Sequence, residues 1–222
     1  MGTQDDGAAA PGDSPYQPYP QVGVGPHPEP WPTADQYDPR LLAEGDRRNV
    51  IDRYRYWSVA AIVADLDTRR RPLQVAIENW EHDFNIGSVV RTANAFNVAG
   101  VHIVGRRRWN RRGALVTDRY LRVYHHRDAQ ELAGWLAERQ IPLIGVDNIA
   151  GSVPLETTEL PRRVCLLFGS EGPGLSEAAV AACARTVAIS QAGSTRSMNA
   201  GAAAAIAMYH WTLRWATPGV DD

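Results

Sequence analysis

The chain has no lysine; all 23 of its basic residues are arginine. That absence removes a Schiff-base lysine, a phosphate-loop lysine and a lysine general base from the available chemistry. What remains is a basic residue whose planar fork can grip two phosphate oxygens at once. Cysteine is scarce as well. The two present, Cys165 in an apolar run and Cys183 in an alanine-rich one, read as small buried hydrophobes rather than as a disulfide framework. Reduced thiols fit a cytoplasmic protein. No cysteine and histidine spacing of a zinc site occurs, so no metal is expected. No stretch approaches about 18 consecutive apolar residues. Nor does the N-terminus show the basic-then-apolar pattern of a signal peptide, and neither a membrane span nor secretion is expected.

What is present is unevenly distributed. The formal net charge is −2, yet residues 1–45 carry seven acidic residues against one arginine. The remainder carries 22 arginines against 18 acids and is therefore mildly basic, which permits a nucleic-acid partner without requiring one. Nine of the 15 prolines lie within residues 1–39. Residues 1–35, rich in proline and without apolar periodicity, read as a disordered tail. Residues 36–70 read as an N-terminal helical extension. Asp38 and Pro39 mark its start, a mostly helical pattern runs from residue 41 to about 66, and Gly45 is a candidate break. Arg47, Arg48, Arg53 and Arg55 decorate it, as a solvated face or as a basic helix near RNA.

Residues 71–217 form one domain in which strands and helices alternate. Strands are predicted at 73–78, 101–104, 141–146, 164–168 and 187–189, and helices at 86–96, 128–139, 176–184 and 199–215, with Asn85 capping the first of these. The run at 164–168 is apolar throughout, as in a central parallel strand covered on both faces. The fold class is α/β with a mainly parallel sheet and helices on both faces. Between strand and helix patterns, residues 106–112 read RRRWNRR, five arginines around one tryptophan. They read either as a solvated loop or as a single-stranded RNA surface, in which Arg106, Arg107, Arg108, Arg111 and Arg112 meet phosphates while Trp109 stacks a base.

Three stretches carry candidate chemistry. The turn after 164–168, GSEGPG, is glycine-rich but holds Glu171, whose charge repels pyrophosphate; it suits a neutral or cationic ligand with hydroxyls and amines. A polar loop ending in Ser197, Met198 and Asn199 precedes a helix that opens on small residues, more polarity than a helix cap requires. In residues 79–94, Arg91 sits on an otherwise small and apolar helix, flanked by Asn79, Asn85 and Asn94.

These stretches, in this order, resemble the three motifs of the SpoU (TrmH-like) RNA ribose methyltransferases of the SPOUT class: N79-x5-N85-x-G87-x3-R91-T92, F168-G169-S170-E171-G172-x-G174-L175 and I189-x3-G193-x3-S197-M198-N199. The resemblance implies a deep C-terminal trefoil knot, a rare exception to unknotted topology. It also implies S-adenosyl-L-methionine as cofactor, a tRNA or rRNA substrate methylated on a ribose 2′-hydroxyl, and a homodimer with its sites at the interface. Carried over by position, Val146, Gly169, Glu171, Ile189, Gln191, Ser197, Met198 and Asn199 would line the cofactor pocket, with Asp147 as a further contributor. Arg91 would be catalytic, with Asn79 and Asn199 beside it. The final helix, through Ala203, Ala204, Ile206, Ala207, Met208, Trp211 and Trp215, is the expected dimer surface. One departure stands out. Where the family usually has Pro and Met after the third motif's isoleucine, this chain has Ser190 and Gln191. That departure motivates the alternative of a non-catalytic, knotted RNA-binding protein of the same fold. An unrelated nucleotide-binding α/β enzyme is disfavoured by the missing phosphate loop.

Overall fold

A computed structural model describes residues 23–80 and 85–215. Contacts divide the chain into two units, Met1–Ala61 and Ile62–Asp222. The expected tail lies outside the described residues as far as residue 22. Residues 23–35, expected to belong to it, are instead tied down. Val24 forms an antiparallel bridge with Asp46, the His27 amide donates to Leu42 O, and Tyr56 Oη donates to Gly25 O.

In the first unit, helix α1 (Pro39–Glu44) starts as expected, with Asp38 capping the Arg40 amide and Pro39 in the first turn. The helical pattern does not continue through to residue 66. Asp46, fully buried, accepts from the amides of Arg48 and Tyr56 and from the Arg48 guanidinium, and this carboxylate network replaces helix hydrogen bonds after Gly45. Arg48 and Arg55 are thereby structural: Arg48 also donates to Trp57 O and Arg55 to Arg48 O. Helix α2 (Val59–Asp67) then leads into the second unit.

The second unit is built on a seven-stranded sheet of β1 (Arg71–Asn79), β2 (Val98–Gly105), β3 (Val123–His126), β4 (Leu143–Val146), β5 (Val153–Pro154), β6 (Val164–Phe168) and β7 (Arg185–Ala188). Its order is β3-β2-β1-β6-β4-β7-β5, with every pairing parallel. Helices α3 (Asn85–Ala95), α4 (Ala129–Ala137), α5 (Glu177–Ala182) and α6 (Ala200–Trp215) cover it. The apolar run of β6 does sit at the centre. Val164, Leu166 and Phe168 point into the core shared with α3 and α6, and Cys165 and Leu167 into the core shared with α4 and α5. β3 and β5 were not anticipated. β3 reads Val-Tyr-His-His, with little apolar alternation, and β5 is two exposed residues long.

The β3 edge contains a buried polar cluster. His102 on β2, without solvent exposure, bonds His126 on β3 (Nδ1 to Nε2, 2.9 Å) and Gln74 Oε1 (3.1 Å), under the Trp135 ring. Both thiols are uncrosslinked, and burial raises their pKa values, that of Cys183 to about 11, so they are protonated and unreactive at neutral pH. Among the described residues, no helix is long and apolar enough to cross a membrane.

Candidate active site

In a parallel sheet, ligands collect at the carboxyl ends of neighbouring strands. Here the loops after β4, β6 and β7 rise from adjacent strands and enclose a cleft of about 620 Å³. All eight residues expected around the cofactor line it: Val146, Gly169, Glu171, Ile189, Gln191, Ser197, Met198 and Asn199. Asp147, Asn148 and Ser170 join them.

The β6 loop is a tight turn. Ser170 bridges to Gly174, and a Cβ on Gly169 would lie 2.0 Å from the Gly174 carbonyl carbon, so no other residue fits there. Asp147 holds the far side of the turn, accepting from the Leu175 amide at 2.7 Å. Ser170 Oγ is buried at the cleft and has no partner among the described residues. A small cradle with one orphaned hydroxyl and the carboxylates of Asp147 and Glu171 beside it offers a donor and acceptor set for a ligand bearing hydroxyls and positive charge.

A relay of amides joins the three motifs. Asn85 Nδ2 donates to Glu171 Oε2 at 2.7 Å, Asn199 Nδ2 donates to Asn85 Oδ1 at 2.8 Å, and Asn199 Oδ1 accepts from the Ala202 amide at the start of α6. Asn85, at the start of α3, is buried and its side chain bonds both of the other motifs. Sequence reasoning placed it in a motif but assigned it no site role. Close packing also matters here. A Cβ on Gly87 would meet Gly113 and Ala114 main-chain atoms at 2.7–2.8 Å, so Gly87 lets the end of the arginine loop lie directly on α3.

Arg91 is exposed on α3 and forms no hydrogen bond or ion pair among the described residues. Asn79 is a correction. It is fully buried and does not line the cleft. Its Nδ2 donates to Arg106 O at 2.6 Å and Arg108 O at 2.9 Å, and its main-chain carbonyl accepts from the Arg106 amide. The side-chain donors of Asn79 thus anchor the arginine loop, while its Oδ1 is buried without a partner among the described residues.

In that loop, Arg106, Arg107, Arg108, Arg111 and Arg112 are exposed, as an RNA surface requires. Trp109 differs from expectation. Its ring packs against the core, and the Arg111 guanidinium lies 5.6 Å from its centroid, so it pins the loop instead of offering a bare face to a base. Arg111 also approaches Asp118 at 3.6 Å. Glu78, unremarked in the sequence, is fully buried at the end of β1. It accepts from Trp80 Nε1 and from both the amide and the hydroxyl of Ser176, tying β1 to the start of α5.

Comparison with known proteins agrees with this geometry. Residues 72–209 match the family model described as the SpoU rRNA Methylase family. The chain is 26% identical over 153 residues to the tRNA (guanosine(18)-2'-O)-methyltransferase of Escherichia coli strain K12, covering 67% of each chain. The crystal structure of the SpoU methyltransferase AviRb from Streptomyces viridochromogenes, in complex with the cofactor AdoMet, superposes with a TM-score of 0.59 at 27% identity, covering 68% of this chain and 63% of that one. The A. aeolicus TrmH/SpoU tRNA modifying enzyme shares the fold at a TM-score of 0.62 and 18% identity, covering 70% of this chain and 81% of that one.

Proposed function

The chain belongs to the SpoU rRNA Methylase family, and from that premise we propose that it methylates a ribose 2′-hydroxyl of tRNA or rRNA in the cytoplasm, using S-adenosyl-L-methionine. The observation that carries this reading is the relay from Glu171 through Asn85 to Asn199. It joins all three motifs at one cleft beside the helix that presents Arg91. The cleft's chemistry fits the cofactor. Ser170 Oγ and the Glu171 and Asp147 carboxylates suit its hydroxyls and cationic groups, and the side-chain-free turn at Gly169 leaves room for close approach. The cofactor supplies an electrophilic sulfonium methyl.

The chain's own part is alignment and charge. A ribose oxygen gains negative charge as it attacks, and a positioned cation stabilises that charge. A guanidinium with a pKa above 12 keeps its proton, so Arg91 acts as that cation and not as a base. The proton passes to phosphate or water. Arg106, Arg107, Arg108 and Arg112 hold the RNA backbone, with Arg111 contributing less because Asp118 and Trp109 already engage it.

The working species is a homodimer, and the C-terminal segment is threaded as a trefoil knot. Of the residues expected at the dimer surface, Ile206 stays exposed while others turn inward. Ala204, Ala207, Met208 and Trp211 are buried in the chain's own core, and the indoles of Trp211 and Trp215 donate to Pro161 O and Leu160 O. The face left open on α6 is Ile206, Tyr209 and Leu213, between 43% and 64% exposed. Spaced three and four residues apart, they form one apolar stripe. Two observations weigh against the non-catalytic alternative: Glu156 holds Ser190 by two hydrogen bonds, and Gln191 lines the cleft.

The test is methyl transfer from isotopically labelled cofactor to total tRNA and rRNA, followed by nuclease digestion and mass spectrometry. Label in 2′-O-methyl nucleosides is the expected result. Label only in base-methylated nucleosides, or none, would overturn the reading.

A further inference from the structure

The loop that follows β7, residues 189–199, forms one wall of the cleft and contains neither helix nor strand. A chain of that length without secondary structure is held only where other groups reach it. Two such points lie at its far end: Asn148 Nδ2 donates to Arg196 O at 2.8 Å, and Asn199 Nδ2 donates to Asn85 Oδ1. At its near end the contact comes from Glu156. One carboxylate oxygen accepts from the Ser190 amide at 2.8 Å and the other from Ser190 Oγ at 3.0 Å.

Glu156 is well based for this role. It lies in the short 3-10 turn Leu155–Thr157, whose Leu155 is buried in the core and whose next residue, Thr158, donates from its hydroxyl to Pro154 O. Ser190 lies between two cleft-lining residues, Ile189 and Gln191, while Glu156 itself does not line the cleft. Amide hydrogen bonds, from its own residue and then from Ser190, hold its carboxyl below the usual range, so it is ionised at neutral pH.

We infer that Glu156 is a positioning residue for cofactor binding: its two-point grip on Ser190 fixes Ile189 and Gln191 at the cleft wall. This rests on the reading of the cleft as the S-adenosyl-L-methionine site. The grip is exposed to water, so its effect is modest; one such charge-assisted pair changes affinity by roughly three- to tenfold.

The experiment titrates S-adenosylhomocysteine into the full chain by calorimetry and follows amide hydrogen exchange of residues 189–199 in the protein alone. Glu156→Ala should weaken binding about three- to tenfold and speed exchange near residue 190, with the melting temperature unchanged. Ser190→Ala, which keeps the amide and loses the hydroxyl, should fall between the two. Ser190→Pro removes the gripped amide and restrains φ through its ring, so in that background Glu156→Ala should change nothing further. Unchanged affinity and exchange in Glu156→Ala, or equal losses with and without Ser190→Pro, would overturn the clamp. Failure of the unaltered protein to bind would instead remove the methyltransferase reading on which the inference rests.

Discussion

Asn79, Asn85 and Asn199 carry the same amide, and their surroundings give them different work. Asn79 spends its donors on two loop carbonyls, while Asn85 and Asn199 spend theirs on the relay to Glu171. Arg91 is distinguished by the opposite circumstance: exposure, and no partner among the described residues. A cation that forms no ion pair among the described residues can be removed with little effect on the fold. Arg91→Ala should therefore leave the melting temperature and the affinity for S-adenosylhomocysteine nearly unchanged. Turnover should fall by about 100- to 1000-fold, the usual effect of deleting one preorganised electrostatic donor. Turnover within a factor of a few of the parent chain would remove Arg91 from the reaction. The residue-level pattern of the site was largely legible in the sequence, because the cleft residues cluster in short motifs beside predicted strand ends. What escaped was anything set by side chains far apart in the chain: the burial of Asn79, the central place of Asn85, and the grip of Glu156 on Ser190, 34 residues away.

At the scale of elements, the arginine loop is an anchored main chain that carries exposed charges. Asn79 anchors it at Arg106 and Arg108, His125 Nε2 contacts Gly105 O at its root, and Trp109 seats it on the core. Arg106, Arg107, Arg108 and Arg112 remain to meet phosphates. Changing these four to Gln should flatten the dependence of log K on log salt by about 0.7 per lost single-strand contact, or close to 3 if all four touch RNA. An unchanged slope would leave the loop as solvated surface. Trp109→Ala should lower the melting temperature, as loss of a core contact does. Helix α6 matches the predicted helix, but of the residues expected on its dimer face Ala204, Ala207, Met208 and Trp211 are buried and Ile206 is exposed. Its tryptophans face inward because their indoles reach Pro161 O and Leu160 O, partners that no periodicity in the helix reveals. The residue to alter is Leu213, 64% exposed. Leu213→Glu should halve the mass measured by light scattering and keep the fold. A mass equal to that of the parent chain would place the interface elsewhere.

For the whole second unit, the sheet's parallel order was foreshadowed by apolar runs alternating with helical patterns, yet its β3 edge was invisible. That edge is held by a histidine pair whose burial depends on strands being neighbours. The pair also sets how stability responds to pH. His102 Nε2 faces an acceptor, Gln74 Oε1, so neutral His102 accepts at Nδ1 from His126. Protonating His102 would set two N–H groups against each other in a buried site. Burial, then the His126 and Arg139 charges, lower the His102 pKa from 6.5 to about 3, and burial lowers that of His126 as well. Between those values the unfolded chain binds a proton that the folded chain refuses. Stability is therefore fully present above about pH 6.5 and is lost as pH falls toward 3, at up to about 1.4 kcal/mol per pH unit for one such group. The carboxylates with lowered pKa values, such as Asp46 and Asp67, add their own losses only below the ordinary carboxylate range, so pH 5–7 isolates the histidines. Urea unfolding followed by tryptophan fluorescence should show a fall on the order of 1 kcal/mol between pH 6 and pH 5. His102→Gln, which cannot be protonated, should flatten that fall. The same slope in both proteins would mean that His102 is charged in the folded chain and that the buried pair is not what ties stability to pH.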